Sequence, residues 1–213
     1  PLVIAPIFNK FSPVQDGVLK ERLEKLLARC KFESKGLFTM DGSRRSAHGN
    51  AYFAGIGGAK RIVLFDTLID KLDEKEIEAV LAHEVGHYKC GHVPYRLGVS
   101  ALMSFGFFFF LGLLIDENLF FLSFGLTTET LNITEYSAIL PACFFILFFY
   151  ILQNALFPLR PFTAILSRKH EFEADRYAAK NSEADQLISA LIKLYKENSA
   201  PVITNKWFSL FYD

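Results

Sequence analysis

Net charge is what this sequence most plainly lacks. Its 23 lysines and arginines are balanced by 23 aspartates and glutamates. Proteins that hold nucleic acid carry a basic surplus to meet the phosphates, so no nucleic-acid partner is expected. Cysteine is scarce as well. Cys30, Cys90 and Cys143 are odd in number and widely spaced, which gives neither a disulfide framework nor a pair at a metal-site interval. Free thiols fit a reducing compartment for the aqueous part. There is no internal repeat and no low-complexity linker, and no secretory leader pattern is recognisable at the start. The chain begins at Pro1 rather than Met and closes on the apolar run Trp207-Phe208-Ser209-Leu210-Phe211. A piece of a longer protein is the expectation.

What the sequence has in excess is apolar surface. Hydrophobic residues make up 51 % of 213, with Phe alone counting 23. Residues 97–115 and 136–159 form runs of 19 and 24 residues without a charge. About 20 apolar helical residues cross a hydrocarbon core of roughly 30 Å, so both runs are expected to span a lipid bilayer. A chain of this length could hardly bury two such helices on all sides. The connection 116–135 holds Asp116, Glu117, Glu129 and Glu135 and no Lys or Arg, whereas Lys89, Arg96, Arg160, Arg168 and Lys169 lie on the other flanks. The positive-inside rule then places both long flanks in the cytosol and the acidic loop outside. Asn132-Ile133-Thr134 in that loop matches a glycosylation acceptor, a pattern common by chance.

The polar parts show ordinary periodicities. Leu19, Leu23, Leu26, Leu27 and Cys30 share one stripe of a helix over 16–31. Strands are expected at 36–40, 50–55 and 61–65, with a hairpin turn at Gly57-Gly58. Asp73 and Glu76 form a capping box for a helix whose buried side is Ile77, Val80, Leu81 and Val85. Further helices are expected at 167–180 and 182–196, the last burying Leu187, Ile188, Leu191, Ile192 and Tyr195. The fold class is α+β, with a small antiparallel sheet. The domain division is 1–96, an aqueous region with the capped helix; 97–159, two spans and the acidic loop; and 160–213, aqueous helices.

The capped helix carries His83-Glu84-Val85-Gly86-His87. Two imidazoles four apart stand one above the other and can reach one ion. Neutral imidazole suits Zn²⁺, and Glu84 flanks the same face, where it can take a proton from zinc-bound water. Gly86 costs about 1 kcal/mol against Ala inside a helix, a cost consistent with close approach by another element. A catalytic zinc has three protein ligands and one open position. His92 lies at the wrong interval for the third and is expected to be a helix-end or interfacial histidine. Glu171 in His170-Glu171-Phe172-Glu173-Ala174-Asp175 is the better candidate, because it shares a face with Ala174, Asp175 and Ala178, small enough for close packing on the metal helix. Asp175 can accept the other ring N–H of a ligand histidine. Glu173 falls with Arg176 and Lys180 on a stripe that looks solvated.

The elements NAYF (50–53), RIVLFDTL (61–68), LAHEVGHYKCGH (81–92) and HEFEAD (170–175), with two spans between the last two, closely resemble the Ste24-type CAAX prenyl proteases of peptidase family M48. The resemblance covers nearly the whole chain in order. It implies a mostly helical, zincin-like metallopeptidase domain interrupted by two transmembrane helices, with one Zn²⁺ per chain. His83, His87 and Glu171 are implied as ligands, Glu84 as the catalytic glutamate and Asp175 as the residue steadying a ligand histidine. Asn50, Ala51, Tyr52 and Phe53 are implied as an edge strand along which substrate lies. The implied partner is a peptide or protein substrate, prenylated in part of the family. Relatives carry further spans upstream and a His-Pro segment downstream, both outside these residues. Two other readings remain: a membrane quality-control peptidase of the same family without prenyl dependence, and a membrane scaffold with a structural zinc. The membrane is the bacterial inner membrane or the endoplasmic reticulum with the inner nuclear membrane. Of other donors for an oxyanion, His48 lies near the edge strand.

Overall fold

A computed structural model describes residues 9–44, 49–54, 60–114, 117, 119, 122–125 and 136–197. His48, the Gly57-Gly58 turn, Asn132 and the apolar run from Trp207 lie outside the described residues. Two compact units are distinguished. One is built from residues up to His92 together with those from Leu166 onward, the other from Val93–Ile165.

The first unit opens with strand β1 (Phe11–Pro13) and helix α1 (Val18–Arg29). Leu23, Leu26 and Leu27 of α1 are buried, as their spacing requires. Strands β2 (Leu37–Met40), β3 (Ala51–Ala54) and β4 (Arg61–Phe65) follow. They form one four-stranded sheet in the order β1-β2-β4-β3. The sheet is mixed rather than antiparallel. β1 pairs with β2, and β3 with β4, in antiparallel fashion, but β2 and β4 run parallel, with Leu37 opposite Ile62 and Met40 opposite Phe65. The physical reason is insertion. β4 returns from β3 into the place beside β2, so the chain reverses twice between two neighbouring strands. That leaves β3 at one edge. β4 is central and carries Ile62, Val63 and Leu64, all buried, the continuous apolar run of a strand covered on both faces.

Helix α2 (Asp66–Lys71) leads to helix α3 (Glu74–Lys89). The capping box at the start of α3 is present: the Asp73 backbone N–H donates to Glu76 Oε2 at 2.8 Å. Ile77, Leu81, Ala82 and Val85 of α3 enter the same core as Leu23, Ile62 and Leu68. α3 ends on Cys90, and Gly91 adopts φ +75°. Only glycine takes that left-handed turn cheaply, and helix α4 (His92–Leu114) follows it.

Helix α4 and helix α5 (Tyr136–Leu156) account for the second unit. The 23 residues of α4 rise about 34 Å. Leu111, Phe144 and Phe148 form a small cluster between α4 and α5. Phe107, Leu114 and Leu152 are partly buried against it, whereas Leu102, Phe105 and Phe108 are exposed. Only 6 % of the most apolar stretch of α4 is buried, whereas an apolar helix of a soluble core would be covered. Both helices are long and apolar enough to cross a membrane.

A 3-10 turn (Phe157–Leu159) leads directly into helix α6 (Arg160–Asn181), which begins earlier than its polar pattern suggests. Helix α7 (Ala184–Glu197) then packs on α3. Here the expected buried stripe is corrected. Leu187 and Ala190 are buried and Leu194 packs against the core, while Ile188, Leu191, Ile192 and Tyr195 stay exposed. The contact that orients α7 is polar: Ser189 Oγ donates to Glu76 Oε1 at 2.6 Å, and Lys193 Nζ to Glu76 Oε2 at 2.7 Å.

Candidate metal centre

The chemistry-bearing side chains come from α3, from α6 and from the first residue of α4. α3 and α6 approach closely because neither has bulk at the crossing. A methyl group on Gly86 would lie 3.0 Å from the Ala174 Cα and carbonyl oxygen and 3.1 Å from Tyr177 Cβ. Ala174 and Ala178 are fully buried against it. The expected close approach at Gly86 is therefore present, with α6 as the element that approaches.

Across this crossing three polar atoms converge. His83 Nε2 and His87 Nε2 are 3.0 Å apart. Glu171 Oε2 lies 3.4 Å from the first and 3.5 Å from the second. Ligands on tetrahedral zinc arms of about 2.0–2.1 Å sit about 3.3 Å from one another, so these spacings fit the ion. The rest of the hydrogen bonding fixes what the atoms offer. His83 Nδ1–H donates to Asp175 Oδ1 at 2.8 Å, which leaves a lone pair on Nε2 of the neutral ring. Imidazole nitrogens and a carboxylate facing one spot are a donor set that suits a divalent cation. His83, His87 and Glu171 together can hold a metal ion.

Electrostatics follow the same geometry. Burial works against a charged His83, but the carboxylates of Glu171, Asp175 and Glu84 outweigh it and raise the imidazole above its ordinary value. The two imidazoles of His83 and His87 beside it hold Glu171 far below the usual carboxylate range. Glu84 goes the other way: burial pushes it up, and the nearby histidines offset only part of that. A raised carboxylate beside a cation site is poised to hold a proton that another group releases.

The implied substrate residues lie on the edge strand. β3 pairs only with β4 among the described residues, and α3 packs against it. Asn50 C=O accepts from Phe65 N–H at 3.0 Å, so by the alternation of an antiparallel ladder the main-chain groups of Ala51 and Phe53 face the free edge. The side chains are committed elsewhere. Tyr52 packs edge-on against Phe65, Phe53 lies 5.0 Å from the Phe32 ring, and Asn50 Oδ1 accepts its neighbour Ala51 N–H at 2.8 Å. What this strand offers is backbone.

Two residues take parts that sequence reasoning did not give them. His92 does begin a helix, as expected, but it is buried in a network: its Nδ1 is 2.9 Å from His87 Nδ1, its Nε2 is 3.0 Å from Glu173 Oε2, and its ring stacks on His170 at 4.2 Å. Glu173 is thus not a purely solvated charge. The signal for both was the second histidine nine positions after His83, whose use depends on the turn at Gly91.

The sequence profile of peptidase family M48 matches residues 13–210. The chain is 39 % identical over 217 residues to "CAAX prenyl protease 1 homolog" of Oryza sativa, covering 100 % of this chain and 48 % of the relative. It is 35 % identical over 218 residues to "CAAX prenyl protease 1" of Saccharomyces cerevisiae, with the same two coverages. A human homologue of the same name is 32 % identical over 246 residues, covering 98 % of this chain and 50 % of the relative. Among solved structures, the crystal structure of S. mikatae Ste24p is similar with a TM-score of 0.84 at 31 % identity, covering 100 % of this chain and 51 % of that one. The chain spans about half the length of the relatives it matches.

Proposed function

The chain belongs to peptidase family M48, and on that premise we propose that it carries the zinc-binding part of an integral-membrane endopeptidase of the CAAX prenyl protease type. The observation that carries the proposal is the convergence of His83 Nε2, His87 Nε2 and Glu171 Oε2 with Glu84 alongside. His83, His87 and Glu171 would hold one Zn²⁺. Bound there, the ion would supply Lewis-acid chemistry, making a water more acidic and polarising the scissile carbonyl. Glu84 takes the proton of the attacking water and returns it to the leaving amine. Asp175 holds the His83 ring so that Nε2 faces the site. The substrate backbone adds to β3 as a further strand, at the Ala51 C=O and the main-chain groups of Phe53, the Ala51 N–H being held by Asn50 Oδ1. α4 and α5 cross the bilayer, and the charge asymmetry of their flanks puts the metal centre on the cytosolic side.

A structural zinc would be closed by four ligands and would need no half-buried glutamate beside it. Three ligands and Glu84 favour catalysis. The test uses the full-length protein in detergent with two peptides of one sequence, one prenylated at the C-terminal Cys-a-a-X cysteine and one not. The proposal expects cleavage of the prenylated peptide and at least about 10²-fold loss in Glu84→Gln. Equal cleavage of both peptides would move the reading to a prenyl-independent quality-control peptidase, and an undiminished Glu84→Gln protein would remove the peptidase mechanism.

A further inference from the structure

His92 is 3 % exposed, yet it contributes no atom to the three that converge. A leucine would fill that space at lower desolvation cost. Instead every polar and planar feature of the ring is engaged. Nε2 meets Glu173 Oε2 at 3.0 Å, Nδ1 meets His87 Nδ1 at 2.9 Å, and one face lies on His170 with 16° between the planes.

Donor and acceptor roles follow from the end of the chain of contacts. An ionised Glu173 can only accept, so His92 Nε2 carries the hydrogen. A neutral His92 then has a lone pair on Nδ1, and the hydrogen between the two Nδ1 atoms belongs to His87. His87 Nε2 is left bare, aimed at His83 Nε2 and Glu171. Reverse the first contact and the last one reverses too: a hydrogen on His92 Nδ1 would force the His87 hydrogen onto Nε2, where it blocks a metal.

We propose that His92 and Glu173 are a positioning pair, setting the tautomer and ring orientation of His87 so that its Nε2 is free to bind metal. For His87 they do with two residues what Asp175 does for His83 with one. The two metal-facing imidazoles of α3 are thereby held separately, one by α6 directly and one through the start of α4. This rests on the zinc reading above and extends it.

The test measures Zn²⁺ affinity of the full-length protein in detergent, by competition with a chromophoric chelator, beside the thermal stability of the metal-free form. His92→Phe keeps a ring and removes both nitrogens. His92→Asn keeps an oxygen close to the position of Nδ1, able to accept from His87. The expected result is about 10–100-fold weaker zinc binding in His92→Phe, recovery of most of that loss in His92→Asn, and a severalfold loss in Glu173→Gln. Metal-free stability should not follow the same order. Wild-type affinity in a folded His92→Phe protein, or an Asn variant no better than Phe, overturns the proposal. Should His92→Phe fail to fold, Glu173→Gln at its half-exposed site decides alone, and unchanged affinity there overturns the proposal. A wild type that binds no zinc, like a His83→Ala control, overturns the zinc reading itself, whereas a zinc-binding wild type with indifferent His92 and Glu173 variants overturns only the positioning pair.

Discussion

Glu171 and Glu173 stand two positions apart on α6 and serve different partners. Glu171 reaches His83 and His87, and Glu173 reaches His92. The first assignment was legible in the sequence. Glu171, Ala174, Asp175 and Ala178 share one helical face, and small residues on that face foretell a close neighbour. The second was not, because it depends on a partner that the left-handed turn at Gly91 delivers from another helix, and local periodicity contains no such information. Asp175 gives a prediction at this scale. Its carboxylate accepts from His83 Nδ1 at 2.8 Å, which strengthens the ring as a ligand. Asp175→Asn should weaken zinc binding about 10–100-fold, measured by chelator competition, with little change in the metal-free melting temperature, since the side chain is partly exposed. Equal affinities would show that the contact does not tune the ligand.

Between elements, the α3–α6 crossing and the α3–α7 clasp matter most. Gly86→Ala should raise the intrinsic helix propensity of α3 by about 1 kcal/mol and yet destabilise the protein. The new methyl would press on the Ala174 backbone at 3.0 Å, and overpacking of that kind costs about 1–3 kcal/mol. Because Ala174 and Glu171 ride on the same helix, zinc occupancy should fall further than stability does. A variant of normal zinc content and raised melting temperature would mean that the crossing tolerates separation. The clasp is centred on Glu76, whose carboxyl is almost fully buried. Burial alone would raise its pKa, but Lys193, Ser189 and the Asp73 N–H outweigh burial and hold it below the ordinary value. A folded pKa below the unfolded one, about 4.3, contributes stability above that pH, and the contribution is lost as pH falls through the folded value. Urea unfolding should therefore show wild type losing more stability than Glu76→Gln between neutral pH and about pH 3.5, with the variant less stable by about 2 kcal/mol at pH 7. Parallel pH profiles would contradict this. The clasp also explains the misassigned face of α7. Leu187, Ala190 and Leu194 make one apolar stripe, and Ile188, Leu191, Ile192 and Tyr195 make another beside it. Periodicity reveals both stripes, but only the Ser189 and Lys193 contacts with Glu76 decide which one faces α3. The parallel β2–β4 pairing escaped for a similar reason: strand patterns show which runs are strands, not which strand is inserted between two others.

Over the whole molecule, the metal centre is assembled from segments that the two apolar helices separate in sequence. α3 supplies two ligands before them and α6 the third after them. The two apolar helices were legible because uncharged runs of that length have few other uses. The division into 1–96, 97–159 and 160–213, and the cytosolic side of the site, are our proposals from charge and hydropathy. The central claim is that one zinc is held jointly across that separation. Metal analysis of the purified full-length protein beside its Glu171→Ala variant tests it directly. The account predicts about one zinc per wild-type chain and a clear loss in the variant. No zinc in the wild type, or undiminished zinc in Glu171→Ala, would contradict it.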